Sequence, residues 1–331
     1  DHGELLAEEL DAVFVTTPDF LHEEHALAAI DAGVAVYLEK PIAITIEGAD
    51  RILEAARAKS VRLYLGHNMR HMAFVRKMKT LIDGGVIGEV KTAWCRHFVG
   101  HGGDFYFKDW HADRRLSTGL LLQKAAHDID VLHWLCGAYT SRVNAMGRLA
   151  VYGDIADRHG PDDPGNAKVN RDNWPPLAQT QLNPTVDVED VSMMNMELAN
   201  GVLASYQQCH FAPDYWRNYT VIGTEGRIEN FGNGAPGTHI KLWNRRADWN
   251  PDGDEVYQMD AETGGHGGAD PRIVGEFLRF VRDGGAIDTS PVAARYSVAT
   301  GVRATESLRG GGVPLDVPAL DPATEAWYES A

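Results

Sequence analysis

The sequence is short of the patterns that mark several protein classes. Only three cysteines occur in 331 residues, Cys95, Cys136 and Cys209. Odd in number and widely spaced, they exclude a disulfide framework and a cysteine metal cluster, and they fit a reducing, cytoplasmic compartment. Basic residues are outnumbered, 31 Lys and Arg against 47 Asp and Glu, for a formal net charge of -16. Such a chain repels phosphate backbones and anionic lipid surfaces, so neither nucleic acid nor membrane is an expected partner. No apolar run approaches the ~20 residues of a membrane span. There is no Gly-x-Ser-x-Gly elbow for a serine hydrolase, and the histidines lack partners at metal-ligand spacing, so no metal is expected. No methionine opens the chain: it enters at Asp1 directly into a helix-like segment, which reads as the loss of a native start and of any leader with it.

What is present is ordinary globular composition, 44% hydrophobic and 24% charged, at a length that supports two cores. The first part alternates strands and helices. Ala12–Thr16 is a short run of β-formers followed by a Thr17-Pro18-Asp19 break. A helical stretch runs from His22 to about Ala32 and stops at Gly33. Ala35–Leu38 is a second strand, Thr45 is an N-cap for a helix to about Lys59, and Arg62–Leu65 is a third strand. Two-sided apolar strands separated by crossover helices predict a doubly wound parallel sheet, a partial Rossmann domain over residues 1–70.

After Asn68 the pattern changes, and residues 71–331 predict an α+β domain with a large, mainly antiparallel open sheet. A helix near Phe74–Ile82 precedes a long strand, Glu89–Phe98. One apolar helix is expected from about Thr118 to Leu135. Val188–Leu198 and Val202–Gln208 alternate with period two around Asn200-Gly201, a strong hairpin signal. Strands at Tyr219–Ile222, Arg227–Asn230 and Ile240–Trp243 follow. Asp154–Pro184, rich in Pro, Asp and Asn, reads as a long excursion loop. Helices after Asp270 and around Arg295–Arg309 finish the chain and are expected to pack back on the first domain.

Three constellations carry chemistry. Glu39-Lys40-Pro41 sits where the second strand ends, the rim at which open parallel sheets bind ligands; an isolated Glu-Lys dipeptide is more often a solvated ion pair. Thr16-Thr17-Pro18 with His22 delivers a second strand end and a helix N-terminus to the same rim. On the apolar helix Gln123, His127 and Asp130 fall on one narrow stripe flanked by Lys124. A single buried His is usually a satisfied core residue. A Lys, a His and an Asp within two turns point instead to acid–base work on a hydroxyl or carbonyl. Trp110, His111 and Arg114 offer an aromatic wall with hydrogen-bonding groups, as a polyhydroxylated ligand needs. His210 ends a strand, with Arg217 shortly after, and His266 lies on a glycine-rich loop before Asp270, itself an expected N-cap. Glu189-Asp190 reads as a solvated turn pair.

These residues resemble the Gfo/Idh/MocA oxidoreductase superfamily, through DAVFVTTPDFLHEEHALAAIDAGVAVYLEKPIA, GHNMR at Gly66–Arg70, GLLLQKAAHDIDVLHWLCG at Gly119–Gly137 and RNYTVIGTEGRIEN at Arg217–Asn230. The resemblance implies NAD or NADP as cofactor, a carbohydrate or polyol substrate, and a homodimer or homotetramer built on the open sheet. It implies that Lys40 lies between nicotinamide and substrate, that Glu39 holds the nicotinamide ribose, and that Thr17, Pro18, His22, Pro41 and Asn68 line the cofactor. His127 matches the family's acid–base histidine, with Lys124 assisting. Trp110, His111, Arg114, Gln123, Asp130, His210, Arg217 and His266 are expected around the substrate. Two departures stand out. Gln123 replaces an Asp that many members carry, and Lys124 resembles a QK/EK subgroup. The glycine-rich pyrophosphate turn does not appear, an expected gap of one βαβ unit, on the order of 60 residues.

Three activities follow. The first is hydride transfer between nicotinamide and a sugar, sugar acid or polyol. The second is an NAD-dependent glycosidase or lyase that oxidises its substrate transiently. The third is a binding protein or inactive fragment.

Overall fold

The protein is seen in a computed structural model that describes residues 1–160, 163, 168–260 and 262–330. Within the excursion loop expected at 154–184, residues 161, 162 and 164–167 therefore lie outside the described residues. Three parallel strands, β1 (Ala12–Val15), β2 (Ala35–Leu38) and β3 (Leu63–Leu65), pair in that order, with Val15 beside Leu38 and Leu38 beside Leu65. Helix α1 (His2–Leu6) precedes them, and α2 (His22–Asp31) and α3 (Ile46–Lys59) are the crossovers. The start of α3 follows from its sequence: Thr45 Oγ1 accepts from Gly48 N at 3.0 Å. Its Ile46, Ala49, Ile52, Leu53 and Ala56 recur at helical spacing and are buried.

Helices α4 (Ala73–Asp83), α5 (Gly102–Phe105), α6 (Arg114–Ser117), α7 (Leu120–Gln123) and α8 (Ala126–Cys136) lead through the middle of the chain. The single helix expected over Thr118–Leu135 is thus two, broken at Lys124-Ala125. Just before the break the neighbouring α10 (Pro291–Arg309) packs closely: a Cβ on Gly301 would meet Leu121 O at 2.7 Å. At the same point Gln123 O turns outward to accept from Lys40 Nζ.

The second sheet has nine strands: β4 (Val90–Phe98), β5 (Thr140–Arg148), β6 (Val191–Leu198), β7 (Leu203–Cys209), β8 (Trp216–Gly223), β9 (Arg227–Phe231), β10 (His239–Trp243), β11 (Glu255–Gln258) and β12 (Leu315–Asp316). Their order is β11-β10-β9-β8-β4-β7-β6-β5-β12. Every neighbouring pair is antiparallel except the central β4 and β7, which run parallel. β5, β11 and β12 were not foreseen, because short or half-exposed strands carry little periodic signal.

Helices α8 and α10 cover one face of this sheet, and one continuous core reaches from Val36 and Leu38 through Ile129 and Leu132 to Ala204 and Val221. α9 (Gly265–Asp283) and α11 (Pro322–Ser330) complete the chain. The late helices reach the first sheet's layer: Arg295 of α10 ion-pairs Asp50 at 2.7 Å, and Tyr328 of α11 donates to Leu53 O at 3.0 Å. No described helix is long and apolar enough to cross a membrane.

Candidate active site

The three parallel strands end side by side, so the residues after them share one rim. Behind β2, the Glu39 carboxylate is fixed by Tyr37 OH at 3.1 Å and by the Lys40 amide at 3.0 Å. Gly66, which follows β3, must lack a side chain, since a Cβ would stand 2.8 Å from Glu39 Cδ. Lys40 reaches across the rim and donates to Gln123 O at 3.2 Å. Pro41 and Thr17 lend carbonyls to His22, whose ring nitrogens lie 2.7 and 2.8 Å from them. His22 is buried between two strand ends; burial lowers its pKa, so the neutral ring donates to one of the two carbonyls. Thr17 Oγ1 lies 3.1 Å from His25 Nδ1, and Pro18 leads into the turn at Asp19. Asn68 donates to Asp270 at 3.1 Å and keeps a buried Oδ1 without a partner.

Opposite the rim stand the broken helices. His127 is 8% exposed, and its Nδ1 has no partner. Burial, then the charges of Lys40, Arg217 and Lys124, hold its pKa well below the usual histidine value. It is a neutral base at pH 7. Gln123 is buried with Oε1 unpartnered. Lys124 stands 5.2 Å over the Tyr106 ring, and burial draws its pKa down.

Asp19 joins this group although the sequence marked it only as a turn residue. It is 5% exposed, with Oδ2 unpartnered, and burial pushes its carboxyl up to about 7 against the pull of Lys40. Its place after a strand-ending proline was the one available signal.

The aromatic wall forms beside Lys124. Trp110 stacks on His111 with centroids 3.7 Å apart and meets Phe20 edge-on, while Tyr106 stands edge-on to both His111 and His210. His111 Nδ1 pairs with Asp109. His210 is wholly buried with both ring nitrogens unpartnered.

Other expected site residues are committed elsewhere. Asp130, on α8 after the break, is engaged by Arg70, which holds both its oxygens at 2.7 Å. Arg114 is half-exposed and pairs with Asp187 at 3.0 Å. Arg217 lies in the interior, with Nε 3.1 Å from Asp128. His266 is exposed, with φ of +48°, and binds the Asp270 carboxylate at 2.9 Å. Asp270 therefore spends its oxygens on His266 and Asn68 rather than on a helix cap. Asp190 is buried rather than solvated and accepts three backbone amides, from Ala150, Val151 and Tyr152, while Glu189 pairs with Arg309.

Beneath the site lies a closed polar network that the sequence did not reveal. In register, His97 of β4 faces Arg217 of β8, and Cys95 faces Tyr219. All four point toward α8, where Asp128 receives Arg217, His97 Nδ1 at 3.0 Å and the Tyr219 hydroxyl. Burial alone would raise the Asp128 carboxyl; Arg217, His97 and Tyr219 outweigh it and hold it below the usual range. The fold also gathers His71, Glu276 and Asp288. Tyr64 donates to Glu276 and Arg76 pairs with Asp288, which makes that group an ion-pair cluster.

Known proteins resemble this chain. A family model described as "Oxidoreductase family, NAD-binding Rossmann fold" matches residues 1–67, and one described as "GFO/IDH/MocA C-terminal domain" matches residues 75–229. Inositol 2-dehydrogenase 3 of Saccharopolyspora erythraea is 40% identical over 128 residues, 38% of this chain and 35% of that protein. The 2,7-anhydro-N-acetylneuraminate hydratase of Mediterraneibacter gnavus is 33% identical over 142 residues, 42% of this chain and 37% of its own length. The chain thus spans little more than a third of either relative. Levoglucosan dehydrogenase, solved with NADH and levoglucosan, superposes with a TM-score of 0.76 over 95% of this chain and 82% of that one. At 22% identity that likeness speaks for the fold alone. With family models matching residues 1–67 and 75–229, the chain belongs to the Gfo/Idh/MocA oxidoreductase family.

Proposed function

We propose that the protein transfers a hydride between a nicotinamide nucleotide and a CH–OH or keto carbon of a sugar, sugar acid or polyol. One observation carries the reading. Lys40 reaches from the strand-end rim to Gln123 O, four residues before a neutral His127 whose Nδ1 is free and on which the Lys40 charge acts.

The residues present fit a nicotinamide nucleotide, since buried atoms at the rim lack partners: Asn68 Oδ1, Gln123 Oε1 and His127 Nδ1. Thr17, Pro18, Glu39, Lys40, Pro41 and Asn68 would hold it, with His22 keeping their strand ends together. When bound, that cofactor supplies the hydride acceptor or donor. The rest falls to side chains. His127 takes the hydroxyl proton, as a base whose neutral form burial maintains. Lys40 stabilises negative charge on the substrate oxygen. Lys124 adds a second positive group whose proton burial has loosened. Trp110, His111 and Tyr106 offer the flat and polar surfaces a sugar ring packs against.

The test is nicotinamide reduction by the full-length protein with NAD and NADP across sugars, sugar acids and inositols. A substrate-dependent signal is expected. Its absence throughout, with cofactor and sugar both bound, would retire net oxidation. A second reading has its own support, a relative named as a hydratase. There, oxidation is transient, and the measurable product is a hydrated or cleaved sugar formed only when NAD is present.

A further inference from the structure

The fold brings together three side chains that the proposed reaction does not use. His2 of α1 and Glu24 and His25 of α2 each offer one ligand atom, and the three atoms lie within 4.8 Å of one another. Sequence spacing hid the group, because Glu24-His25 finds its third member on a different helix. The two imidazole rings stand 4.6 Å apart between centroids, tilted at 51°. Neither His2 nor Glu24 makes a hydrogen bond or an ion pair with the other described residues. The neighbouring carboxylates are already engaged: Glu23 holds Arg51 at 2.6 Å, and Glu4 closes the capping box of α1. What remains free is two imidazoles and one carboxylate.

A second observation gives the group a direction. Thr17 Oγ1 lies 3.1 Å from His25 Nδ1. Metal-binding histidines almost always engage their other ring nitrogen in such a bond, which sets the tautomer and aims the bare nitrogen at the ion. With Nδ1 so engaged, Nε2 of His25 is the nitrogen left for a cation. His25 is half-buried and held, whereas His2 and Glu24 are exposed and free to change rotamer. Tetrahedral zinc sets its ligand atoms about 3.4 Å apart, so the two surface side chains need close by no more than about 1.4 Å. The surrounding charge favours this, since the chain carries a net -16 and Asp1, Glu4 and Glu23 stand beside the group along the two helices.

We propose that His2, Glu24 and His25 form a site for a divalent transition-metal ion of the zinc class, completed by water in the fourth position, that clips α1 to α2. Two imidazoles with one carboxylate suit zinc or nickel, while magnesium and calcium prefer oxygen alone. The clip answers a structural need. α1 has five residues and none of them is buried, and so short a helix does not hold itself. Thr17 is a positioning residue in this site, acting through the His25 ring.

The experiment titrates zinc into the untagged protein by calorimetry, with magnesium as the control cation, and repeats the titration on His2→Gln, His25→Gln and Thr17→Val. One zinc per chain and no magnesium are expected. His2→Gln and His25→Gln should each weaken zinc by more than about 100-fold, and Thr17→Val by about 10-fold, the lower end for loss of an outer partner. X-ray absorption at the zinc edge should show two imidazoles. Amide exchange over residues 2–6 should slow on zinc addition in the wild type and stay unchanged in His2→Gln. His2 is exposed and bonded to nothing, so that variant folds as the wild type does. No zinc bound to the wild type at millimolar concentration, or equal zinc affinity in His2→Gln, overturns the site. Zinc that binds but leaves the exchange of α1 unchanged overturns the clip.

Discussion

The rim above and the network below use the same residue types to opposite ends. Around Asp128 nearly every polar atom has a partner, and the groups are fully buried. Around Lys40 and His127 the reverse holds: His127 Nδ1, Gln123 Oε1, Asn68 Oδ1 and Asp19 Oδ2 are buried without partners. A fold does not leave four such atoms unpaired at one place without a cost of about 1–3 kcal/mol each. The partnered groups hold the scaffold, and these four atoms are the ones that the proposed ligand would engage.

The sharpest way to break that contrast is to treat the two regions alike. Asp128→Ala should destabilise the protein by about 3–5 kcal/mol in urea unfolding, because it leaves Arg217 buried without its counter-charge. A loss under about 1 kcal/mol would mean that the network is not structural. Lys40→Met should do the opposite. Turnover should fall by about 10²- to 10³-fold, while the unfolding free energy shifts by less than about 1 kcal/mol, since Lys40 makes a single hydrogen bond to Gln123 O. Unchanged turnover in Lys40→Met would remove this lysine from the mechanism.

Asp19 tests the boundary between the regions. Its carboxyl is raised from 3.8 to about 7 in the folded protein, so between those values the native state holds a proton that the unfolded chain has lost. Its contribution is fully present below pH 3.8 and is lost as pH rises through about 7. Asp19→Asn mimics the protonated form at every pH. The variant should match the wild type near pH 4 and exceed it near pH 8 by roughly 2 to 4 kcal/mol. A gap that does not change with pH would show that Asp19 titrates normally.

The strands and helices with strong periodicity were legible in the sequence: β1 to β4, the β6–β7 hairpin, α3 and α4. So was the Glu39-Lys40-Pro41 rim, because strand ends in parallel sheets are fixed places. The break between Gln123 and Ala126 was not. α10, from far along the chain, packs Gly301 against Leu121 and Leu122 just before it, and no local pattern encodes that approach. The helical wheel grouped Asp130 with His127, and both do lie on α8, but Arg70 claims the Asp130 carboxylate. Arg217 was misplaced for a similar reason. Only the β4–β8 register, with His97 opposite Arg217, shows that its side chain points under the site.

The uncovered face of the nine-stranded sheet offers the smallest effect and a separate contrast. One face is covered by α8 and α10; the other carries Met146, Met193 and Leu203 at 66%, 48% and 59% exposure. Strand alternation makes the two faces independent, so a charge on the open one disturbs no core contact. If that face joins copies of the chain, as the family resemblance implies, Leu203→Glu should change unfolding free energy by less than about 0.5 kcal/mol at dilutions where copies are apart. It should also lower the sedimenting mass at higher concentration, because a carboxylate buried between copies has no counter-charge there. Identical mass in variant and wild type would leave the open face as ordinary surface, and apolar side chains scattered on a sheet need no partner to explain them.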